Sequence, residues 1–439
     1  MENIDTLIEA RWVIPVEPAG TVLHDHAVAV RDGLIVGIAP TEAARARFAP
    51  RETIELPRHA LIPGLVNLHC HTPMTLLRGL ADDVPLMPWL QEHIWPAETR
   101  HVGDEFVYDG SLLAAAELLR GGTTCVNDMY FFPEATARAS LSAGLRASLG
   151  IITLEFPTPY APDAATYLHK GLATRDAYRG EELLSFCLAP HAPYTVSDET
   201  FQRVAVLAEE IDAPIHIHVH ETRDEIRESL EKHGARPLAR LHRLGLVSPR
   251  LIGVHAVHLE AHEIDLLARE GAFIVHCPAS NLKLASGLAP TAQCRASGVT
   301  VGIGTDGVAS NNRLDMLAEM RLASLLAKGS SGDARAWSAH DTLRAATLDG
   351  ARAIGLGDRI GSIKPGKAAD LTAIDLDTIE TQPCYDPVSH LVNAAGRENV
   401  TDVWVGGEQR LRNRALTSLD EAELRAKAHW WRERVRTSP

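Results

Sequence analysis

The sequence predicts an α/β protein with a (β/α)₈ TIM barrel and a small β-sandwich domain formed from both chain ends. Three observations carry this prediction. Short apolar strands recur through the middle of the chain, each followed by an amphipathic helical stretch. Polar residues gather where these strands end. Segments rich in β-forming residues and Gly-containing turns flank the repeat on both sides, so the two ends are expected to pair.

Eight segments make up the predicted barrel, and eight strands joined by helices imply closure. The helical stretch after the fourth strand begins at Ser197, which has the character of an N-cap residue. The predicted strands are residues 61–71, 123–129, 146–152, 183–191, 214–220, 251–258, 273–281 and 299–306.

The chain of 439 residues is divided by this pattern into one large domain and one small one. Residues 1–60 supply the N-terminal part of the β-sandwich domain, and residues 61–355 form the barrel that carries the catalytic site. Residues 356–439 complete the sandwich and end in a helix.

Composition and charge exclude several classes of protein. Hydrophobic residues make up 45% and charged residues 23% of the chain, which is typical of a globular protein. The formal net charge of -14 argues against a nucleic-acid binder, which needs an excess of Lys and Arg on one face. No stretch is long and apolar enough for a membrane span, and the N-terminus lacks a signal-peptide pattern. Six scattered Cys indicate reduced thiols, so we expect a cytoplasmic protein.

The motif NLHCHTPM at the end of the first predicted strand is the clearest chemical signal. His69 and His71 are two residues apart on a strand, so their side chains point to the same face and both imidazoles can reach one metal ion. Such a pair in an apolar strand can equally be a packed, hydrogen-bonded structural pair. The other strand ends therefore decide its meaning.

Polar residues follow three further strands, at the end of the barrel where enzymes of this architecture build their active sites. HIHVHET follows strand five, VHAVH follows strand six, and GIGTDG follows strand eight. Each group taken alone could be structural, but their coincidence at one end of the barrel indicates a metal centre. The residues concerned are His216, His218, His220, Glu221, His255, His258 and Asp306.

The order His-x-His, His, His, Asp over eight βα units resembles the amidohydrolase superfamily along essentially the whole chain. The segment SIKPGKAADLTAID resembles the return strand of that superfamily's accessory domain. The resemblance implies that four residues bind the metal: His69, His71, His218 and Asp306. His218 is chosen over His216 and His220 because the superfamily's His-x-x-Glu spacing fits only His218 with Glu221; by strand parity all three share one face.

The resemblance also bears on the number of metal ions. Dinuclear branches of the superfamily use a modified Lys at the end of strand four, where this chain reads LAPHAPYT. One ion per subunit is therefore expected. The nitrogen and oxygen ligands suit Zn²⁺ best, and Fe²⁺ is chemically close.

The resemblance assigns catalytic roles to three residues. A divalent cation lowers the pKa of bound water from about 15.7 to near 7, which supplies hydroxide for attack on an electrophilic ring carbon. Asp306 and His255 are implied to accept and orient the proton of that water. Glu221 is implied to protonate the neighbouring ring nitrogen, so that ammonia leaves.

The long apolar segment after strand one resembles the branch that deaminates 5′-methylthioadenosine and S-adenosylhomocysteine. Trp89 and Glu98 match the spacing of that branch's nucleoside contacts, with Glu98 taking the ribose hydroxyls, while His191 offers a contact to the purine edge. The loop after strand three, IITLEFPTPYAPDAATY, contains no Arg for the carboxylate of S-adenosylhomocysteine. We therefore expect 5′-methylthioadenosine to be the better substrate, with S-adenosylhomocysteine and adenosine poorer ones.

Other functions remain open on the sequence. The same scaffold is similar to guanine, 8-oxoguanine and cytosine deaminases and to triazine hydrolases that expel chloride or amines. A catalytically inactive binding module is a further alternative, although every ligand position is filled. The expected partner is a small-molecule substrate rather than nucleic acid or a membrane, and the resemblance implies a homo-oligomer, either a dimer or a tetramer.

Overall fold

The structure is a computed structural model that describes residues 1–437, with side chains up to residue 436. Its strands form two sheets, one at the chain ends and one in the middle. The strands are β1 Glu2–Val13, β2 Leu23–Arg31, β3 Leu34–Pro40, β4 Phe48–Pro63, β5 Leu65–Cys70, β6 Thr123–Asp128, β7 Arg146–Thr153, β8 Leu184–Pro190, β9 Ile215–Val219, β10 Leu251–His255, β11 Phe273–His276, β12 Thr300–Ile303, β13 Leu371–Asp375, β14 Val400–Val405, β15 Glu408–Arg412 and β16 Ala415–Leu416.

Helices connect the strands of the middle sheet. Short 3₁₀ segments span Thr72–Leu77, Ile379–Thr381 and Arg397–Asn399, and π-helical turns span Trp89–Ile94 and Ala345–Asp349. The α-helices are α1 Thr41–Arg47, α2 Leu86–Pro88, α3 Trp95–His101, α4 Asp104–Arg120, α5 Pro133–Ala143, α6 Ala164–Ala177, α7 Asp198–Glu210, α8 Arg223–His233, α9 Pro237–Arg243, α10 Ala261–Glu270, α11 Pro278–Lys283, α12 Thr291–Ala296, α13 Val308–Asn311, α14 Met316–Ser331, α15 Ala339–Arg344, α16 Gly350–Ala353, α17 Pro387–Asn393 and α18 Glu421–Thr437.

The middle sheet is the predicted barrel. Its strands are parallel and hydrogen-bonded in sequence order from β5 to β12. The last strand returns to the first, because the backbone N–H of Asp306 donates to the carbonyl of His69 at 3.0 Å and that of Thr305 to Asn67 Oδ1 at 3.0 Å. The α/β barrel prediction is therefore confirmed. Ser197 also caps α7 as predicted, accepting a hydrogen bond from the Thr200 N–H.

Both chain ends pair into one mixed sheet, in the order β16-β15-β14-β13-β4-β1-β2-β3. Alternate residues of β1 face opposite apolar clusters, as the period of a strand requires. Leu7 packs with Phe48 on one face, whereas Ile8 packs with Val28 on the other. The antiparallel pairing of β13 with β4 joins the N-terminal and C-terminal segments into this single unit.

The first predicted barrel strand, residues 61–71, is divided between the two sheets. Residues 61–63 end β4 of the terminal sheet, and the barrel begins at Leu65, whose N–H donates to the carbonyl of Gly122. Gly64 stands at the junction, where a Cβ would collide with the side chain of Thr124. The sequence does not mark this change of sheet, because the residues on both sides of Gly64 are buried and the apolar pattern continues through it.

The terminal helix α18 packs against the barrel. The ring of Trp431 meets that of Phe106 edge to face at 5.1 Å, and its Nε1–H donates to Asp109 Oδ2 at 2.9 Å. Every helix within residues 1–437 is too short or too polar to span a membrane.

Candidate metal and nucleoside site

Four side chains with metal-binding atoms meet at the C-terminal end of the barrel. His69 and His71 come from the end of β5, His218 from β9, and Asp306 from the turn after β12. His69 Nε2 lies 3.2 Å from His218 Nε2 and 3.2 Å from Asp306 Oδ1, and His71 Nε2 also lies 3.2 Å from Asp306 Oδ1. The barrel therefore brings together residues that are far apart in sequence.

Each of the three histidines has a hydrogen-bond partner at Nδ1. His71 donates to the carbonyl of Met129 at 2.6 Å, and His218 donates to that of His191 at 2.8 Å. His69 Nδ1 lies 2.9 Å from His216 Nε2. With Nδ1–H as the donor in these contacts, Nε2 of each ring is the atom available to a metal ion, and the three Nε2 atoms face one another or the carboxylate. Ring nitrogens converge this way around a cation.

The separations fit a tetrahedral ion. Ligand atoms at about 2.0–2.1 Å from zinc lie about 3.3–3.4 Å from one another, close to the three distances of 3.2 Å. The histidines of the cluster differ in their electrostatics, because burial lowers the pKa of His69 to about 4 and that of His218 well below its usual range. Burial lowers the pKa of His71, but the contact with Asp306 outweighs burial and raises this pKa to about 9. The three distances of 3.2 Å are compatible with ligands around one divalent cation.

Asp306 is oriented by its neighbours. Its Oδ2 accepts hydrogen bonds from Ser280 Oγ at 2.7 Å and Ser310 Oγ at 2.8 Å, which leaves Oδ1 facing His69 and His71. Burial alone would raise the pKa of Asp306, but the two histidines hold it well below its usual range. Its φ of +62° lies in the left-handed region, a strained conformation for a non-glycine residue that often marks a functional site.

His255 and Glu221 lie beside the cluster rather than within its tightest contacts. His255 donates Nδ1–H to Asn281 Oδ1 at 2.8 Å, and its Nε2 lies 3.8 Å from Glu221 Oε2. The ring nitrogens of His255, His69 and His218 are also close enough together to hold a metal ion. However, the ring of His255 stacks on that of His218 at a centroid distance of 5.4 Å, and its Nε2 faces the carboxyl group of Glu221. This placement favours proton handling over a fourth-ligand role.

The protonation of Glu221 follows from its surroundings. Burial raises the pKa of its carboxyl group, although His255 partly offsets this effect. The carboxylate of Glu225 fixes the turn, accepting from the N–H groups of His220 and Glu221 at 2.9 and 2.8 Å. A buried carboxyl group with a raised pKa has the property required of a general acid.

The other histidines of strands five and six have different roles. His216 supports His69 from behind, as described above. His220 does not share a face with His216 and His218, contrary to the parity argument, because it follows the strand end with φ of +56°. Its Nε2 instead accepts from the N–H of Leu238 at 3.0 Å. His258 lies away from the cluster, with Nε2 2.8 Å from the carbonyl of Ser286.

A cavity of about 290 Å³ opens above the cluster. Trp89, Glu98 and His191 line it together with His71, His218, Glu221, His255 and Asp306, so the predicted substrate contacts and the predicted chemical groups share one space. Apolar side chains form much of the wall: Leu86, Trp89, Trp95, Phe131, Leu154 and Phe156. Such a lining with a few polar groups is typical of a site for a small, flat ligand.

Two ionisable side chains that line the cavity, Glu98 and His191, have shifted pKa values. Burial raises the pKa of Glu98 to about 7, while a hydrogen bond from Tyr130 acts in the opposite direction. Burial lowers the pKa of His191 to about 3, so its ring is neutral near pH 7. Among the described residues that line the cavity, none is Lys or Arg. The loop after β7 contributes Leu154, Phe156 and Thr158 to this wall.

Sequence reasoning missed several supporting residues. The motif contains His216 but does not indicate that His216 contacts His69, and the sequence predicts no role for Asn281, Ser280 or Glu225. Tyr130, whose hydroxyl donates to Glu98 Oε1 at 2.6 Å, was also missed. Its position just past β6, at the active end of the barrel, was the available signal.

The barrel and its cluster define a metal-dependent hydrolase. The model of the amidohydrolase family matches residues 60–410, and the chain belongs to that family. This result confirms the predicted superfamily and the predicted enzyme class, a hydrolase acting on carbon–nitrogen bonds.

Known proteins resemble the chain over its full length. A 5-methylthioadenosine/S-adenosylhomocysteine deaminase of Teredinibacter turnerae is 48% identical over 433 residues, covering 99% of this chain and 98% of the relative. The crystal structure of an adenosine deaminase from Xanthomonas campestris, with bound zinc, is 54% identical, covers 100% of both chains and has a TM-score of 0.98. The atrazine chlorohydrolase of Arthrobacter aurescens, complexed with zinc, is 25% identical with a TM-score of 0.90, covering 97% of this chain and 99% of that one. The first two similarities, to proteins named as deaminases, confirm the predicted deaminase branch.

Proposed function

We propose that the protein is a metal-dependent hydrolytic deaminase of adenine nucleosides that converts 5′-methylthioadenosine to its inosine analogue and ammonia. One observation carries the proposal: a buried carboxyl group suited to diol binding, Glu98, and one suited to proton donation, Glu221, line the same apolar cavity above the histidine cluster. The names of the relatives from Teredinibacter turnerae and Xanthomonas campestris support the same substrate class.

His69, His71, His218 and Asp306 would hold the ion, one per subunit. The tetrahedral spacing and the nitrogen-rich ligand set favour Zn²⁺, and the zinc in the Xanthomonas campestris structure supports this choice. Fe²⁺ is the alternative to be tested. Such an ion, when bound, would act as a Lewis acid and would lower the pKa of bound water toward neutral pH.

The proton steps are assigned to residues around the cluster. Glu221 donates a proton to the ring nitrogen next to the carbon that bears the amino group, which makes that carbon more electrophilic. His255, whose Nδ1–H is held by Asn281, presents Nε2 as acceptor for a proton of the attacking water and passes this proton to the departing amino group, so that the carbon–nitrogen bond breaks and ammonia is released. Asp306 shares this role through Oδ1, because its Oδ2 is held by Ser280 and Ser310.

Trp89, Glu98 and His191 are assigned to nucleoside binding. Trp89 is buried, and its Nε1–H donates to the carbonyl of Ala81 at 3.2 Å, which fixes the indole in the cavity wall. Glu98 would accept from the ribose hydroxyls, and His191 would contact the purine edge.

The cavity wall favours a short neutral tail on the nucleoside. Trp95 and Phe156 pack with ring centroids 5.9 Å apart in the wall, and the described lining of the cavity contains no Lys or Arg. A thioether methyl group can be buried against such rings, whereas the carboxylate of S-adenosylhomocysteine would need a charged partner. S-adenosylhomocysteine and adenosine are therefore proposed as poorer substrates.

An ammonia-release assay over a panel of nucleosides and free bases, run with and without a chelator, tests the proposal. We expect metal-dependent release from 5′-methylthioadenosine and none from free guanine, cytosine or triazines. The absence of metal-dependent ammonia from every adenine nucleoside would overturn the proposed function.

Two further expectations concern the setting of the enzyme. The six cysteines are unpaired and five are buried, which supports a reducing compartment such as the cytoplasm. A homo-oligomer, a dimer or a tetramer, remains our prediction, and sedimentation analysis would test it.

A further inference from the structure

The segment after β6 contacts three separate parts of the site. Asp128 Oδ1 accepts from the backbone N–H of Thr72 at 2.6 Å, directly after the His-x-His pair. The next residue, Met129, accepts from His71 Nδ1. The third, Tyr130, donates its phenol to Glu98 Oε1 at 2.6 Å. One tripeptide thus connects the metal-binding strand end to the residue proposed for the ribose.

We propose that Tyr130 is a positioning residue that holds the Glu98 carboxylate for the nucleoside diol. The inference rests on the proposed function, since it assigns a role within nucleoside binding. Tyr130 occupies Oε1, which leaves Oε2 to accept from the ribose hydroxyls.

The hydrogen bonding around Glu98 supports this role. Within residues 1–437, Tyr130 is the one side chain that hydrogen-bonds to the Glu98 carboxyl group. Both residues are buried, with 5% of Tyr130 and 8% of Glu98 exposed. A glutamate has three side-chain torsions, and an acceptor held by one directed hydrogen bond loses less freedom when substrate binds.

The Tyr130 ring is itself held in place. It packs against Phe131 with ring centroids 5.2 Å apart and lies 6.4 Å from the ring of His71. Burial and the adjacent Glu98 keep the pKa of the Tyr130 phenol well above its usual range, so the hydroxyl always has a proton to donate. The donor is therefore present at every working pH.

Tyr130→Phe tests the inference, because it keeps the ring and removes only the hydroxyl. A hydrogen bond to a charged group contributes roughly tenfold or more in binding, so we expect kcat/KM for adenosine to fall about tenfold through KM. Metal content should stay at the wild-type value and kcat should change less than about threefold. For 2′,3′-dideoxyadenosine, which has the same base and 5′-hydroxyl but no diol, the variant should match the wild type.

Two controls separate positioning from general damage. Tyr108→Phe removes a phenol outside the cavity, 3.4 Å from Ser142 Oγ, and should leave both substrates unaffected. In a Glu98→Ala background, Tyr130→Phe should cause no further loss, because the residue through which Tyr130 acts is gone.

The outcomes distinguish this inference from the proposed function. Equal losses on adenosine and dideoxyadenosine, or an additive loss in the Glu98→Ala background, would overturn the positioning role while the deaminase survives. A wild-type enzyme that releases ammonia from no nucleoside would overturn both.

Discussion

Replacing Glu221 by Gln is the sharpest test of the proposed chemistry. Gln keeps the shape of the side chain but cannot transfer a proton to a ring nitrogen. General acid catalysis by a positioned side chain contributes about 10²–10⁴ in rate. Glu221 is buried, and His255 Nε2 lies 3.8 Å from its Oε2, beyond hydrogen-bond distance, so this ring does not readily replace the proton of Glu221. We expect kcat to fall about 10³-fold.

The structure also indicates what this substitution leaves unchanged. Glu221 is outside the group formed by His69, His71 and Asp306, so the metal content of Glu221→Gln should equal that of the wild type. Burial raises the pKa of the carboxyl group, so a neutral amide suits the same environment. The melting temperature should therefore change little.

The assay combines ammonia release from 5′-methylthioadenosine with metal analysis of the same preparation. Glu225→Gln is the matched control, because Glu225 is also a buried glutamate but accepts two backbone N–H groups. In Glu225→Gln the side-chain NH₂ group would face one of the two backbone N–H donors, which costs about 1–3 kcal/mol of stability. The loss of kcat should be smaller than in Glu221→Gln. Near-normal turnover of a fully metal-loaded Glu221→Gln enzyme would refute the assignment.

Three further predictions concern metal affinity, pH and specificity. His216→Phe removes the acceptor for His69 Nδ1–H and should weaken zinc binding about 10–100-fold in chelator competition. His216→Gln keeps an acceptor and should lose less zinc affinity. If both variants bound zinc as tightly as the wild type, His216 would not support His69. The pKa of Glu98 is raised to about 7, and binding of the ribose hydroxyls needs the ionised carboxylate of Glu98. The kcat/KM for adenosine should therefore fall as the pH drops below about 7, by up to tenfold per pH unit. The kcat/KM for 2′,3′-dideoxyadenosine should not depend on the ionisation of Glu98. Catalytic efficiency should be higher for 5′-methylthioadenosine than for S-adenosylhomocysteine, and comparable values on the two would contradict the reasoning from the absence of Lys and Arg in the described cavity lining.

Much of the architecture was predictable from local pattern. Parallel barrel strands are buried on both faces and read as short apolar runs, so seven of the eight expected strands overlap one observed strand each. The first could not be bounded, because the run through Gly64 stays apolar while the chain passes from one sheet to the other. The hydrophobic pattern of a strand does not indicate which neighbouring strand it is hydrogen-bonded to.

The candidate site was likewise predictable from the sequence only in part. The alternation of side chains along a strand was enough to place His69 and His71 on one face, and family spacing selected His218. Parity gave the wrong face for His220, because a positive φ at the strand end turns its side chain toward Leu238. Periodicity holds only while the backbone stays extended.

The sequence by itself determined which residue types stand at the strand ends, and hence the class of chemistry and the candidates for metal binding. Only the tertiary structure decided what supports them: His216 behind His69, Asn281 on His255, and Tyr130 on Glu98. These partners lie 26 to 147 residues apart in sequence. Their contacts arise from barrel closure and loop packing, which bring the ends of different strands together and which no local pattern encodes.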